Sequence, residues 1–142
     1  MLDNRFDFAK FEKEIYEAWE KSGAFKTNVS DASDNPDENF SIMMPPLNVT
    51  GSAHLGHAME NSMMDVLVRF NRMKGKTVLW QAGTDHAGIM TQMVVEKQMD
   101  AEGISKHDLG REKFLERMWQ WKEISGGMIT KQLRSLGISP DW

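Results

Sequence analysis

Apolar residues recur along this chain at helical and strand spacings that divide it into distinct segments. Phe8, Phe11, Ile15 and Trp19 fall at steps of three and four with Glu and Lys between them, which predicts an amphipathic helix over about 8–22, ended by Ser22-Gly23. Residues 27–39 are polar, acidic and proline-containing, and read as a solvated loop. Phe40 to Met44 is a short apolar run halted by Pro45-Pro46, the pattern of a buried strand. Two prolines and a glycine then predict an irregular loop from Pro45 through Ser52. From about 53 to 73 the spacing is helical again. Leu55, Met59, Met63, Val66, Leu67 and Phe70 share one face, which Glu60, Arg69 and Arg72 fall off. Gly75 ends that helix, and Thr77 to Trp80 reads as a second buried strand closed by Gly83. Strand, loop, helix and strand over about 40–82 form a βαβ unit, so the fold class is α/β with parallel strands and flanking helices.

The remainder is helical, over about 88–137. Met90, Met93 and Val94 mark a helix from Gly88 to Gly103. Phe114, Met118, Trp121, Ser125, Met128, Gln132 and Leu136 mark a long one, with Gly126-Gly127 inside it as a place to bend. No repeat or low-complexity segment interrupts the pattern.

Length and composition narrow the class. At 142 residues, 40% hydrophobic and 27% charged, the chain suits one soluble domain with one core. The absence of cysteine excludes disulfides, thiol catalysis and cysteine-ligated zinc, and fits a cytoplasmic setting. Met1 to Asp7 lacks the apolar stretch of a secretory signal, and no apolar run reaches membrane-spanning length. A net charge of −4 makes the whole chain a poor electrostatic partner for nucleic acid. Arg69, Arg72, Lys74 and Lys76 offer a local basic cluster that could touch RNA, but a solvated helix end complementing the helix dipole accounts for it more simply. The twelve methionines read mostly as packing.

The chemistry concentrates at the end of the first strand. In a parallel α/β sheet, ligands sit beyond the carboxyl ends of the strands, and a helix N-terminus there welcomes an anion. His54 and His57 are three apart, so on a helix their imidazoles face the same side. Gly56 between them lets a flat ring approach the backbone. Such a set suits an adenine nucleotide with its phosphates. A lone His-x-x-His pair is commonly just surface or core histidine. Zinc bound by His57, Asp85, His86 and His107 is another possibility by ligand type, set aside because the pair lies in a nucleotide-type loop. At the second strand's end, Thr84-Asp85 suits either a helix cap or a partner for an ammonium group.

Pro45-Pro46-Leu47-Asn48-Val49-Thr50-Gly51 followed by His54-Leu55-Gly56-His57 resembles the signature of class I aminoacyl-tRNA synthetases in the form used by valyl enzymes. Trp80-Gln81-Ala82-Gly83-Thr84-Asp85-His86-Ala87-Gly88-Ile89 matches the same pattern. So do Trp119-Gln120-Trp121-Lys122, Ser125-Gly126-Gly127, Gln132-Leu133-Arg134 and the terminal Asp141-Trp142. The resemblance covers about residues 8–142. One departure is Leu47, where the family usually has a third proline and where a slightly looser loop is expected.

The resemblance implies a partial Rossmann-like nucleotide-binding fold over 1–142, the N-terminal part of a catalytic domain. It implies ATP-dependent activation of valine to valyl-adenylate and transfer to tRNA(Val), a ligase reaction of protein biosynthesis. His54 and His57 would serve as catalytic residues donating hydrogen bonds to the ATP phosphates, with Thr50 assisting and Gly56 making room for adenine. Asp85 would bind the amino group of valine, with Pro45 and Asn48 lining the amino-acid site. Magnesium would accompany the triphosphate, and no protein metal site is expected. An apolar pocket separates valine poorly from isosteric threonine, so an editing domain is expected as well. That domain, the second signature loop (Lys-Met-Ser-Lys-Ser) and the anticodon-binding region, with most tRNA contacts, are expected beyond residue 142. The chain alone is then expected to be inactive or very weak. The alternative is a non-catalytic nucleotide- or amino-acid-binding module, or a truncated paralogue.

Overall fold

The computed structural model describes residues 7–142. The reading that Met1 to Asp7 lacks a secretory signal falls, but for Asp7, outside the described residues. In chain order the elements are α1 (Phe8–Ser22), β1 (Asn39–Met43), β2 (Leu47–Asn48), α2 (Leu55–Met73), β3 (Thr77–Gln81), β4 (Thr84–Asp85), α3 (Gly88–Ala101), α4 (Lys106–Leu109) and α5 (Arg111–Ser135). They fall into two compact units. Of the described residues, one holds those up to 44, 58–82 and 133–142; the other holds 45–57 and 83–132.

The first unit contains the expected parallel pair. β1 and β3 run parallel in register from Asn39 opposite Thr77 to Met43 opposite Gln81, with the α2 segment between them in sequence. The terminal segment extends this pair: Asp141 bridges to Gln81 and its N–H donates to Trp80 O. Gly75 turns the chain from α2 into β3 at φ 79°, a left-handed conformation that glycine adopts without strain. Tyr16, Phe25, Met44, Val68, Val78, Trp80, Leu133 and Ile138 are buried here.

The helices of this unit are amphipathic in an unexpected sense. The apolar face of α2 picked out by periodicity is the exposed one: Leu55 is 85%, Val66 67% and Phe70 56% accessible. On the roughly opposite side, Asn61, Asp65, Val68 and Asn71 are buried. The physical reason lies in what that side meets. Residues 137–139 form irregular backbone whose N–H and C=O groups need partners. Asp65 accepts from the Ser139 N–H at 2.9 Å and the Ser139 hydroxyl at 2.6 Å. Arg69 donates to Asp65 at 2.6 Å and to Gly137 O at 2.7 Å. Arg72 donates to the Ser139 hydroxyl at 2.7 Å and to Ser139 O at 2.9 Å. This corrects the reading of Arg69 and Arg72 as a solvated helix end. Both guanidinium groups are half-buried structural ties, and burial lowers the pKa of Arg72 from its ordinary value. Along α1, Phe8, Phe11, Ile15 and Trp19 are likewise exposed. The buried side chain of that helix is Tyr16, whose hydroxyl donates to Ile138 O at 2.7 Å. Burial first of all raises its pKa.

The second unit holds a strand pair that the sequence did not announce. Leu47–Asn48 pairs parallel with Thr84–Asp85, so the stretch expected to be wholly irregular contains β2. The two prolines lie just before the pairing rather than in it. Leu47, the departure expected to loosen the loop, is only 3% exposed and anchors β2. Val49, Val95, Met99 and Ile129 are buried in this unit. The short helix α4, capped by Ser105 accepting from the His107 N–H, was not foreseen. Ion pairs tie α3 onward at Glu96–Lys106 and Glu102–Arg117, 2.8 and 2.6 Å. Hydrogen bonds from Lys106 and from Arg117, respectively, hold those carboxylates below their ordinary pKa.

Candidate functional site

Every expected site residue lies in the second unit. β2 and β4 do the first part of the positioning. Their register sets Asn48 directly opposite Asp85, and Val49 N–H donates to Asp85 O at 3.0 Å. Two residues expected to line an amino-acid site therefore meet across one rung of parallel sheet, both exposed. Pro45 and Thr50 flank them on the same segment, each half-buried.

Asp85 also holds its own loop. Its Oδ1 accepts from Ala87 N–H at 2.9 Å, closing a tight turn in which Ala87 has φ 49°. The Thr91 hydroxyl donates to His86 O, and the His86 ring meets the Trp119 ring edge-on with centroids 6.0 Å apart. So Asp85 stabilises the turn that leads into α3 without being the N-cap residue itself, which is Ala87.

The histidines meet at the start of α2. His54 immediately precedes the helix rather than lying on it, yet the His54 and His57 rings stack with centroids 3.7 Å apart and planes 17° apart. His54 Nδ1 accepts from Gly56 N–H at 3.1 Å, and His57 Nδ1 accepts from His54 N–H at 3.3 Å. A neutral imidazole has one donor and one acceptor nitrogen. Accepting at Nδ1 fits a neutral ring whose proton is on Nε2. Gly56 matters for this packing: a Cβ there would lie 3.0 Å from His54 Cε1. The flat ring that approaches Gly56 here is thus His54 itself.

Among the described residues no group of three or more His, Cys, Asp or Glu side chains is placed to hold a metal ion. Among the same residues no helix is long and apolar enough to cross a membrane.

Two contacts to this loop were not singled out from the sequence. Trp121 Nε1–H donates to Val49 O at 2.7 Å, and Gln132 Oε1 accepts from Ala53 N–H at 2.9 Å. Trp121 and Gln132 both fell on the apolar-spaced face of the long helix. Their polar atoms were the available signal, since a Trp N–H or a Gln amide on a packing face needs a partner.

The family model for tRNA synthetases class I (I, L, M and V) matches residues 14–142. The chain is 52% identical over 141 residues to the valine–tRNA ligase of Francisella tularensis subsp. tularensis, covering 99% of this chain and 15% of that protein. It is 55% identical over 141 residues to that of Dechloromonas aromatica, again 99% of this chain and 15% of the relative. It is 56% identical over 142 residues to that of Gluconobacter oxydans, 100% of this chain and 16% of the relative. The chain thus spans about 15% of the length of the curated relatives it matches. With nearly the whole chain matched, it belongs to the class I tRNA synthetase family (I, L, M and V).

Proposed function

We propose that the segment from Pro45 to His57, together with Asp85, binds ATP and valine and serves the activation of valine in a valine–tRNA ligase. The observation that carries this reading is the pairing of β2 with β4, which sets Asn48 against Asp85 on the segment that leads to the stacked histidines. The names of the relatives, all valine–tRNA ligases, support valine as the amino acid and tRNA as the acceptor.

In the reaction a carboxylate oxygen of valine attacks the α-phosphorus of ATP. A new O–P bond forms, the bond to the bridging α–β oxygen breaks, and pyrophosphate leaves with its electron pair. Such chemistry asks the protein for positioning and for neutralisation of charge on phosphate oxygens. The imidazoles of His54 and His57 supply hydrogen bonds to the phosphates, Thr50 adds a hydroxyl, and the N-terminus of α2 adds its partial positive charge. Gly56 leaves room for adenine once the His54 ring turns toward the phosphates. The ammonium group of valine meets Asp85 at Oδ2, because Oδ1 is engaged by Ala87 N–H. Pro45 and Asn48 line the amino-acid side. Magnesium would come with the triphosphate and would help neutralise the charge on its phosphate oxygens.

The test is valine-dependent exchange of labelled pyrophosphate into ATP by the full-length protein. Exchange that requires valine and falls by at least about a hundredfold in His54→Ala/His57→Ala is expected, given roughly 3 kcal/mol per lost transition-state donor. No exchange with valine, or exchange indifferent to loss of both histidines, would overturn the reading.

A further inference from the structure

The backbone groups that α5 holds in the loop are those just before two of the site residues. Val49 immediately precedes Thr50, and its carbonyl accepts from Trp121 Nε1–H at 2.7 Å. Ala53 immediately precedes His54, and its N–H donates to Gln132 Oε1 at 2.9 Å. Val49 is held from both sides, since its own N–H donates to Asp85 O in the β2–β4 pair. It is 0% exposed.

The two braces lie on one face of α5, about three helical turns apart. Ser125, fully buried, sits between them, and at neighbouring Gly126 a Cβ would lie 3.9 Å from Val49 Cγ1. Small residues thus occupy the helix where the loop passes close, and long polar side chains occupy it where the loop must be gripped. The loop beyond β2 has no ladder to satisfy these backbone groups, and a buried unpaired carbonyl or N–H is costly. Indole N–H is a donor only, and the Gln132 amide is used here as an acceptor, so each brace suits one backbone group and not the other.

We propose that Trp121 and Gln132 are positioning residues for nucleotide binding: they fix the Val49 carbonyl and the Ala53 amide, and through them the presentation of Thr50 and His54 to the phosphates of ATP. This rests on the reading of the loop as the ATP site. Neither side chain touches the nucleotide. Each acts through the backbone it holds.

The experiment measures KM for ATP and for valine, with kcat, in valine-dependent pyrophosphate exchange by the full-length protein. Amide hydrogen exchange across residues 49–54 is followed in parallel without ligand. Trp121→Phe keeps an aromatic ring and removes the donor; Gln132→Met keeps length and removes the acceptor; Gln132→Glu keeps the acceptor. Loss of one hydrogen bond is expected to raise KM for ATP roughly two- to tenfold in Trp121→Phe and in Gln132→Met. KM for valine moves less, amide exchange at the loop speeds up, and Gln132→Glu stays near the parent. Unchanged KM for ATP in both donor- and acceptor-deleting variants overturns the proposal, as does Gln132→Glu being as impaired as Gln132→Met. Equal rises in both KM values overturn it too, because they report general loosening. A parent without valine-dependent exchange overturns the ATP-site reading and this one together, whereas a parent that activates valine and ignores Trp121→Phe and Gln132→Met overturns only the positioning role. Should Trp121→Phe fail to fold, the Gln132 pair decides alone.

Discussion

Replacing Asp65 tests whether the polar side of α2 is the structural side. Asp65 accepts three hydrogen bonds: from Ser139 N–H and hydroxyl at Oδ1, and from Arg69 Nε at Oδ2. Asp65→Asn keeps the shape and leaves an oxygen for Ser139, but turns an amide N–H toward the Arg69 donor. One charge-assisted bond is lost, about 1.5–3 kcal/mol. The lower end is expected, because the Arg69 side chain is 40% exposed and regains water. Asp65→Ala removes all three hydrogen bonds and strands the buried Ser139 N–H, which places the loss at about 3–5 kcal/mol. That is a large share of the roughly 5–15 kcal/mol that stabilises a typical domain. Urea unfolding followed by tryptophan fluorescence, extrapolated to water, measures both. The order parent, Asn, Ala is expected, with Ser139→Ala and Asp65→Ala strongly non-additive because they share an oxygen. A loss below about 1 kcal/mol for Asp65→Ala would refute the reasoning and return α2 to its apolar face.

The same inversion predicts that Val68→Ala costs about 2 kcal/mol through lost burial and a cavity, while Val66→Ala costs under about 0.5 kcal/mol; thermal melting of both variants distinguishes them. The second unit should respond to acid through Glu96 and Glu102. Their folded pKa values are depressed, so the stability they confer is present above the ordinary carboxylate pKa and lost as pH falls through the folded value. Melting temperature should therefore fall with pH below about 4.3, and Glu102→Gln should flatten part of that fall; an identical profile in the variant would remove the Glu102–Arg117 pair from the account.

Much of this was legible in the sequence, for identifiable reasons. The β1–α2–β3 unit showed because apolar runs bounded by Pro45-Pro46 and Gly83 bracket a helical period, and parallel pairing follows from that order. The residues expected at the site stood out through their local motif, which the structure places in the Asn48–Asp85 rung and the stacked histidines. What periodicity could not tell was which side of a helix packs within this chain. It locates the apolar stripe of α2, but the buried side is chosen by Asp65, Arg69 and Arg72 meeting a strandless backbone at residues 137–139. β2 was missed because two residues of pairing leave no period and adjacent prolines argue against any strand. His54 was expected on a helix face; it sits one residue before the helix because its Nδ1 is used to accept the Gly56 N–H. The braces at Trp121 and Gln132 join residues far apart in sequence, which spacing along one helix does not reveal.

If ATP binds at the histidines and the valine ammonium at Asp85, one calorimetric experiment separates the two sites. Valine and ATP are titrated singly into the parent, Asp85→Asn and His54→Ala/His57→Ala forms of the full-length protein. Asn can still accept the Ala87 N–H, so Asp85→Asn preserves the turn while removing the charge. Valine binding is expected to weaken by about 1.5–3 kcal/mol in Asp85→Asn with ATP nearly unchanged, and the histidine variant is expected to show the opposite pattern. Equal valine affinity in parent and Asp85→Asn, or ATP affinity untouched by loss of both histidines, would contradict it.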